Sequence, residues 1–333
     1  MNSTRSSDSI PDRQRSSWRR LVSSWEFLLL GVGVLIFFLN VQASPYFLDP
    51  WNLSDATFNF TEKAMIAFAM ALVIISGEID LSVASTIALV STCMGFAVQQ
   101  GADTAVLISV AIAVGAACGA FNGFLVAGLG LPSIVVTIGT LSLFRGIAYI
   151  VLGDKAYSGY PESFAFFGQG YVWWVITFEM VLFVLLALLF YVLLHRTSFG
   201  RSVIAIGNNP TAALFSGIRV ARVKFILFVL TGILAAVAAI CLTSRLGSTR
   251  PSIAVGWELE IVTMVVLGGV NILGGSGTIP GVVIAAIVMG MVTFGLGLLN
   301  VPGIVMSIFV GLLLITVIAL PIIIRRTRQR ATA

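Results

Sequence analysis

The stretch VIISGEIDLSVASTIALV, residues 73–90, decides how this chain is read. Apolar helix formers flank a short interruption, Ser76-Gly77-Glu78-Ile79-Asp80-Leu81-Ser82, which carries two carboxylates. A charge at the centre of a bilayer costs about 2.5–3.5 kcal/mol on insertion scales, so acids inside an apolar run need a reason. The interruption offers one. Gly77 can bend the chain, and Asp80 or Ser82 can cap a helix beginning at Leu81. The free N–H groups at that helix start favour a negative charge. The stretch therefore reads as two apolar helices joined by a tight turn. A capped turn is the preferred reading for Asp80. For Glu78 a functional role, in proton coupling or substrate contact, stays open.

The rest of the chain supports a membrane setting. Of 333 residues, 58% are hydrophobic and 10% charged. Soluble domains run at about 45–50% apolar and about 25% charged. Apolar runs long enough to cross a bilayer, about 20 residues, fall near 26–43, 56–76, 81–99, 104–128, 133–152, 171–194, 222–243, 257–273, 279–299 and 302–324. The expected fold is an all-α, polytopic membrane protein of about ten spans, since unpaired backbone in lipid excludes open strands. The segments 81–99 and 257–273 are the shortest of these. Residues 1–25 and 325–333 read as basic tails around a membrane domain over 26–324. The first tail has no long apolar core, so the apolar run that follows it reads as an uncleaved anchor.

Charge sets an expected orientation. Arg5, Arg13, Arg15, Arg19 and Arg20 precede the first run, and Arg325, Arg326, Arg328 and Arg330 follow the last. Arg196, Arg201, Arg219, Arg222 and Lys224 cluster in a central loop. The positive-inside rule puts all three groups, and both termini, in the cytoplasm. A faint repeat, LGLPSIV (129–135) against LGLLNVPGIV (296–305), then has its two turns on opposite faces, as inverted transporter repeats do.

Catalysis and metal binding find little support. His195 is the single histidine and sits beside Arg196 at a span end. It reads as an interfacial residue. Cys93, Cys118 and Cys241 lie in apolar runs without metal or disulfide spacing and read as small buried hydrophobes. No GxxxxGK[ST] motif occurs, so ATP is not expected on this chain. The basic residues flank membrane spans, which argues against nucleic acid. Small residues at four-residue spacing in GAACGAFNG and LGGVNILGGSGTIPG read as close helix packing. Two intramembrane polar residues carry two readings each. Asn122 either lines a polar pathway or bonds a neighbouring helix, and Arg145 either lines that pathway or snorkels to the interface.

The central loop HRTSFGRSVIAIGNNPTAALFSGIRVARVKF is too patterned for a linker. Asn208 or Asn209 can cap a helix, Pro210 suits its first turn, and Gly217 can stop it. That is a short helix outside the membrane, suited to dock a soluble partner. Its small apolar face makes lipid the weaker choice.

These motifs, with SGEIDLSVAS, GAFNGFLV, LPSIVVTIGTLSLFRGIA, TSFGRSVIAIGNNPTAALFSGI and VLGGVNILGGSGTIPG in that order, resemble the integral membrane subunit of bacterial ABC sugar importers of the ribose/xylose/rhamnose type. RLGSTRPSIAVGWELEIVTMVVLGG looks most like rhamnose-system permeases, and permeases for autoinducer-2 compete closely. The resemblance implies a non-catalytic permease in the bacterial inner membrane, importing a monosaccharide, rhamnose first. It implies a cytoplasmic ATPase with two nucleotide sites that holds the Mg-ATP, a periplasmic sugar-binding protein and a second permease subunit. It makes Gly207, Asn208, Asn209, Pro210, Ala212, Ala213, Ser216 and Gly217 the coupling helix. Glu78, Asp80, Asn122, Thr140 and Arg145 are the pathway candidates. The family turn is usually Gly-Gly-Ile-Asp, whereas Glu78 here replaces a small residue.

Overall fold

The computed structural model describes residues 25–58, 60–153, 155–306, 308, 309, 311, 312 and 315. Both basic tails, apart from Trp25, lie outside these residues, as does most of the expected span 302–324. The described chain is built of helices, with four short strands paired as two small ladders.

The helix α3 (Thr61–Ile75) forms the centre. Every residue in it except Lys63 is buried, as expected of a helix that is apolar on all sides. It packs against α8 (Phe178–Arg196), α9 (Ser198–Asn208), α11 (Val220–Leu246), α12 (Trp257–Leu267) and α13 (Ile279–Leu298). On one side of it, α4 (Val83–Gln99), α5 (Thr104–Gly123) and α6 (Ser133–Leu152) form a second group. On the other, α1 (Trp25–Ala43) lies along α13.

The contact between α5 and α11 follows from glycine. A Cβ on Gly115 would sit 2.4 Å from the Gly232 carbonyl oxygen, and one on Gly119 2.4 Å from that of Phe228. Only residues without a side chain let these backbones approach so closely, and in lipid such approach is a main source of helix association. The packing reading of GAACGAFNG is thus the observed one.

The count of about ten spans is not reproduced by the described residues. Six helices among them are long and apolar enough to cross a membrane: α1, α5 with its π-helical extension to Gly128, α6, α8, α11 and α13. The pair α2 (Pro50–Phe58) and α3 adds a seventh if counted as one span bent by 44°. The helix α4 is 17 residues long. The expected span 257–273 contains only the 11-residue α12. From 268 to 278, past the expected end at 273, the chain is turn, with Gly269, Gly274 and Gly275 at φ of 84°, 88° and 80°. The expected span from 171 begins with a hairpin of β2 (Tyr171–Trp173) and β3 (Ile176–Thr177).

Two ends of the bundle can be told apart. At one end, Trp25 Nε1 donates to the Leu267 carbonyl at 2.7 Å, and Thr278 donates to Glu26 at 2.9 Å. The turns 76–82 and 268–278 lie there, as do α9 and α10 (Pro210–Phe215). At the far end, β1 (Tyr157–Ser158) pairs with β4 (Ser248–Thr249), and α7 (Glu162–Gln169) packs on α11. The turn 129–132 lies at the first end, since the next residue, Ser133, accepts from Ile79 of the turn 76–82. The turn 299–302 follows α13 at the far end, where Phe294 meets Phe47. The two halves of the faint repeat therefore bend at opposite ends.

Candidate functional site

Three backbone segments meet at the first end. The Ile75 carbonyl, at the last residue of α3, accepts a hydrogen bond from Gly275 N at 2.8 Å. Gly207, near the end of α9, lies against the same carbonyl and against Gly275. Asn208 Nδ2 donates to the Gly275 carbonyl at 3.1 Å and to Ile204 within its own helix at 2.8 Å. Both turns and the surface helix are thus joined backbone to backbone. Such a joint transmits displacement without the slack of long side chains.

The sequence folds locally to build this elbow. The Thr197 side chain caps α9 by accepting from Gly200 N at 3.2 Å. Asn209 turns the chain and caps α10, accepting from Ala212 N at 2.9 Å, with Pro210 in the first turn. Of the two candidate caps, Asn209 is the cap and Asn208 the link to Gly275. Ala213 is buried, Ser216 donates to the Ala212 carbonyl at 2.9 Å, and Gly217 stops the helix at φ 83°. Leu214 and Phe215 are left 60% and 87% exposed, an apolar tip that none of the described residues covers. The expected single helix is in fact two. The helix α9 was not foreseen because SFGRSVIAIGN carries two glycines and a polar face that read as loop.

The turn 76–82 places the two carboxylates differently. Glu78 pairs with Lys224 at the base of α11. Asp80 is buried, and its Oδ1 accepts from Ser82 N at 2.9 Å and Ser82 Oγ at 2.7 Å. Burial raises its carboxyl above the usual range, while the Ser82 hydroxyl, the Ser82 N–H and Asn122 pull it back. The helix starts at Val83 rather than Leu81, so Asp80 closes a turn on Ser82 and is not a cap for the first turn of α4.

Asn122 Nδ2 donates to Ser82 Oγ at 2.7 Å, which favours the helix-bonding reading, although its Oδ1 is buried without a partner. Ile79 N donates to Ser133 Oγ at 3.2 Å, and Thr137 Oγ1 bonds the Ile79 carbonyl at 3.3 Å. Thr140 is buried on the same face of α6 and bonds back to Thr137 at 3.4 Å. The structure thus gathers Asp80, Asn122 and the α6 threonines around one turn and leaves Arg145 apart. Arg145 Nη1 donates at 2.7 Å to each of the Pro251 and Ile253 carbonyls, fastening the loop before α12. The guanidinium thus reaches the far end of the bundle, where it anchors a loop. His195 packs on Tyr191 at 4.9 Å and accepts from Ile279 N at 3.5 Å.

Sequence reasoning missed a charged group at the far end. Arg245 holds Glu62 through two bonds of 2.9 Å. Thr61 donates to Glu179 at 2.9 Å, and Lys63 pairs with Glu260. The signal was present: Glu62, Lys63, Glu179 and Glu260 all lie inside the expected spans, where an ionisable residue calls for a partner.

The family described as "Branched-chain amino acid transport system / permease component" matches residues 52–318. The chain belongs to this family and is a multi-pass membrane permease of the ABC sugar importer type. It is 36% identical over 300 residues to the autoinducer 2 import system permease protein LsrD of Yersinia pseudotuberculosis serotype O:3 (strain YPIII), covering 88% of this chain and 90% of that one. It is 35% identical over the same shares to the protein of that name from Yersinia pestis (strain Pestoides F). No solved structure matches.

Proposed function

We propose that this chain is the translocation subunit of an ATP-driven importer in the bacterial inner membrane, and that its cargo is autoinducer-2 or a similarly small, sugar-derived polyol. The names of its relatives favour autoinducer-2 over the rhamnose reading. A cytoplasmic ATPase with two nucleotide-binding domains holds Mg-ATP and grips α10. A periplasmic binding protein delivers the substrate, and a second permease subunit, identical or a sister chain, completes the pathway. The first end of the bundle, with both termini, faces the cytoplasm. The chain itself makes and breaks no bonds and binds no cofactor or nucleic acid.

One observation carries this reading: Gly207 and Asn208 touch the turns that interrupt the central helices, while Leu214 and Phe215 protrude on the same elbow. Closure of an ATPase dimer that grips the tip would pull on the Ile75–Gly275 joint. The joint couples ATP occupancy to the opening of alternate sides, since a ligand shifts a two-state equilibrium only through differential contacts. The residues around 76–82 then offer a polar, weakly binding passage. Glu78, Asp80, Asn122 and Thr140 line or support it.

The test is uptake by the reconstituted complex in proteoliposomes. Gly217→Pro, or disruption of 208–213, is expected to leave ATP hydrolysis running while uptake falls. Uptake equal to that of the unmodified complex would overturn the coupling assignment. Uptake by the purified chain alone, driven by an ion gradient without ATP, would overturn the importer reading altogether.

A further inference from the structure

At the far end, a cavity of about 280 Å³ lies between the end of α11, the loop 250–256 and the start of α12. Its lining includes Leu246, Ser248, Arg250, Ser252, Ala254 and Trp257. We propose that this cavity is a receiving subsite for a small uncharged polyol, occupied between release by the delivering protein and passage into the bundle.

Size and chemistry carry the class of ligand. The volume lies just under the range of about 300–1,000 Å³ for sites that hold drug-sized molecules. It suits a ligand of monosaccharide size or less. The lining combines one indole, two serine hydroxyls, one guanidinium and aliphatic walls, with no carboxylate. A sugar-like molecule presents a C–H face to an aromatic ring and hydroxyls to donors and acceptors beside it. A cationic substrate would meet the Arg250 guanidinium with no carboxylate in the lining, and a long apolar one would cover Arg250 and Ser252 without offering them partners.

The wall is held in place from three sides. Arg145 binds the Pro251 and Ile253 carbonyls from α6. Thr249 is fixed by pairing with Tyr157 and by the Ser91 hydroxyl. Trp257 is fixed by Lys63, whose ammonium stands 5.0 Å from the ring centroid and also pairs with Glu260. Between these anchors Ala254 adopts φ 57°, a left-handed conformation that a non-glycine residue keeps only where its surroundings over-determine it. This loop is constrained to one shape, as a binding wall must be. A path inward adjoins it. Next to Arg250, the Thr249 hydroxyl meets Ser91, which bonds Thr243 at 2.8 Å, and the neighbouring Thr92 hydroxyl is buried with no partner. A polyol leaving the cavity would find hydroxyls there to exchange bonds with.

The inference rests on the import reading, and its test separates the two. The full complex is reconstituted with Ser252→Cys in the permease, and the new thiol is labelled by an impermeant maleimide from the far side. The same labelling of the unsubstituted chain is subtracted. Autoinducer-2 and rhamnose serve as probes. The expected result is that a polyol slows labelling, and that Trp257→Ala weakens this protection about ten-fold in probe concentration, the worth of one lost aromatic contact. Trp257→Phe, which keeps a ring beneath Lys63, should retain most of it and shows that the fold survives. Protection by neither probe overturns the subsite, as does protection unaltered in Trp257→Ala. If the unmodified complex shows no ATP-driven uptake, the import reading fails, and the labelling still decides whether the cavity takes a polyol.

Discussion

Gly207 stands against the carbonyl of Ile75 so closely that a Cβ on it would lie 1.8 Å from that oxygen. The same oxygen already accepts from Gly275. The surface elbow and the two interrupted helices thus share one atom as their meeting point. No side chain fits there, and the residue type at 207 is dictated by this joint.

Gly207→Ala is therefore expected to force α9 away from the joint. Overpacking of this kind costs about 1–3 kcal/mol, and more where backbone rather than side chain must move. Gly217 provides the contrast. A Cβ there meets nothing within 4 Å, and only its φ of 83° opposes substitution, so Gly217→Ala should cost about 1 kcal/mol. Melting temperatures of the two variants in detergent check the order. Equal losses would mean that the joint is loose.

Asp80 is buried and spends one oxygen on both donors of Ser82. Its raised carboxyl means that folding disfavours the charge, so this residue contributes stability when protonated and loses it as pH rises through the folded value. Asp80→Asn keeps an acceptor oxygen and removes the charge. It should be neutral or stabilising, and most visibly so at high pH. Asp80→Ala leaves the Ser82 donors and Asn122 short of partners and should cost about 1–3 kcal/mol. Melting curves at pH 5 and pH 9 distinguish the two.

Glu62 and Arg245 form a two-bonded pair with Glu62 fully enclosed. Removing one partner strands a buried charge, at a cost of about 3–5 kcal/mol, while replacing both with apolar residues is often close to neutral. Glu62→Leu alone and Arg245→Leu alone should each lower stability more than the double variant does. A double variant as poor as the sum of the singles would show that the two do not act as a pair.

The parts of this molecule legible in sequence were those set by local chemistry. The span 133–152 stands as read, and Pro210 and Gly217 bound a surface helix because each residue type fits one backbone conformation. The breaks were harder. Hydrophobicity runs unbroken from Ile261 into the LGGVNILGG segment, so composition could not show that the helix stops at Leu267. The turn that follows depends on glycines with positive φ, one of which, Gly275, bonds across to Ile75, a partner some 200 residues distant in sequence. The loop-anchoring contacts of Arg145 were hidden for the same reason. Its polar surroundings are carbonyls of a distant loop, which no local pattern announces. Asn209 and Asn208 share a residue type, and only the third dimension assigns cap to one and link to the other.

Glu78 is the residue on which a coupled-ion mechanism would rest, and its setting points elsewhere. It pairs with Lys224 at the edge of the bundle, with side chains 15% and 18% exposed. Its carboxylate oxygen is engaged by the Lys224 ammonium of the same chain rather than left open to a transport path. Partly exposed ion pairs are worth about 0–1 kcal/mol. Glu78→Gln should accordingly leave the melting temperature within a few degrees and ATP-driven uptake near that of the unmodified complex, with no change in its pH profile between pH 6 and pH 8. Lys224→Met should behave alike, and the double variant should add nothing. Collapse of uptake in Glu78→Gln with stability intact would show that its charge, and not only its place beside the passage, is needed for transport.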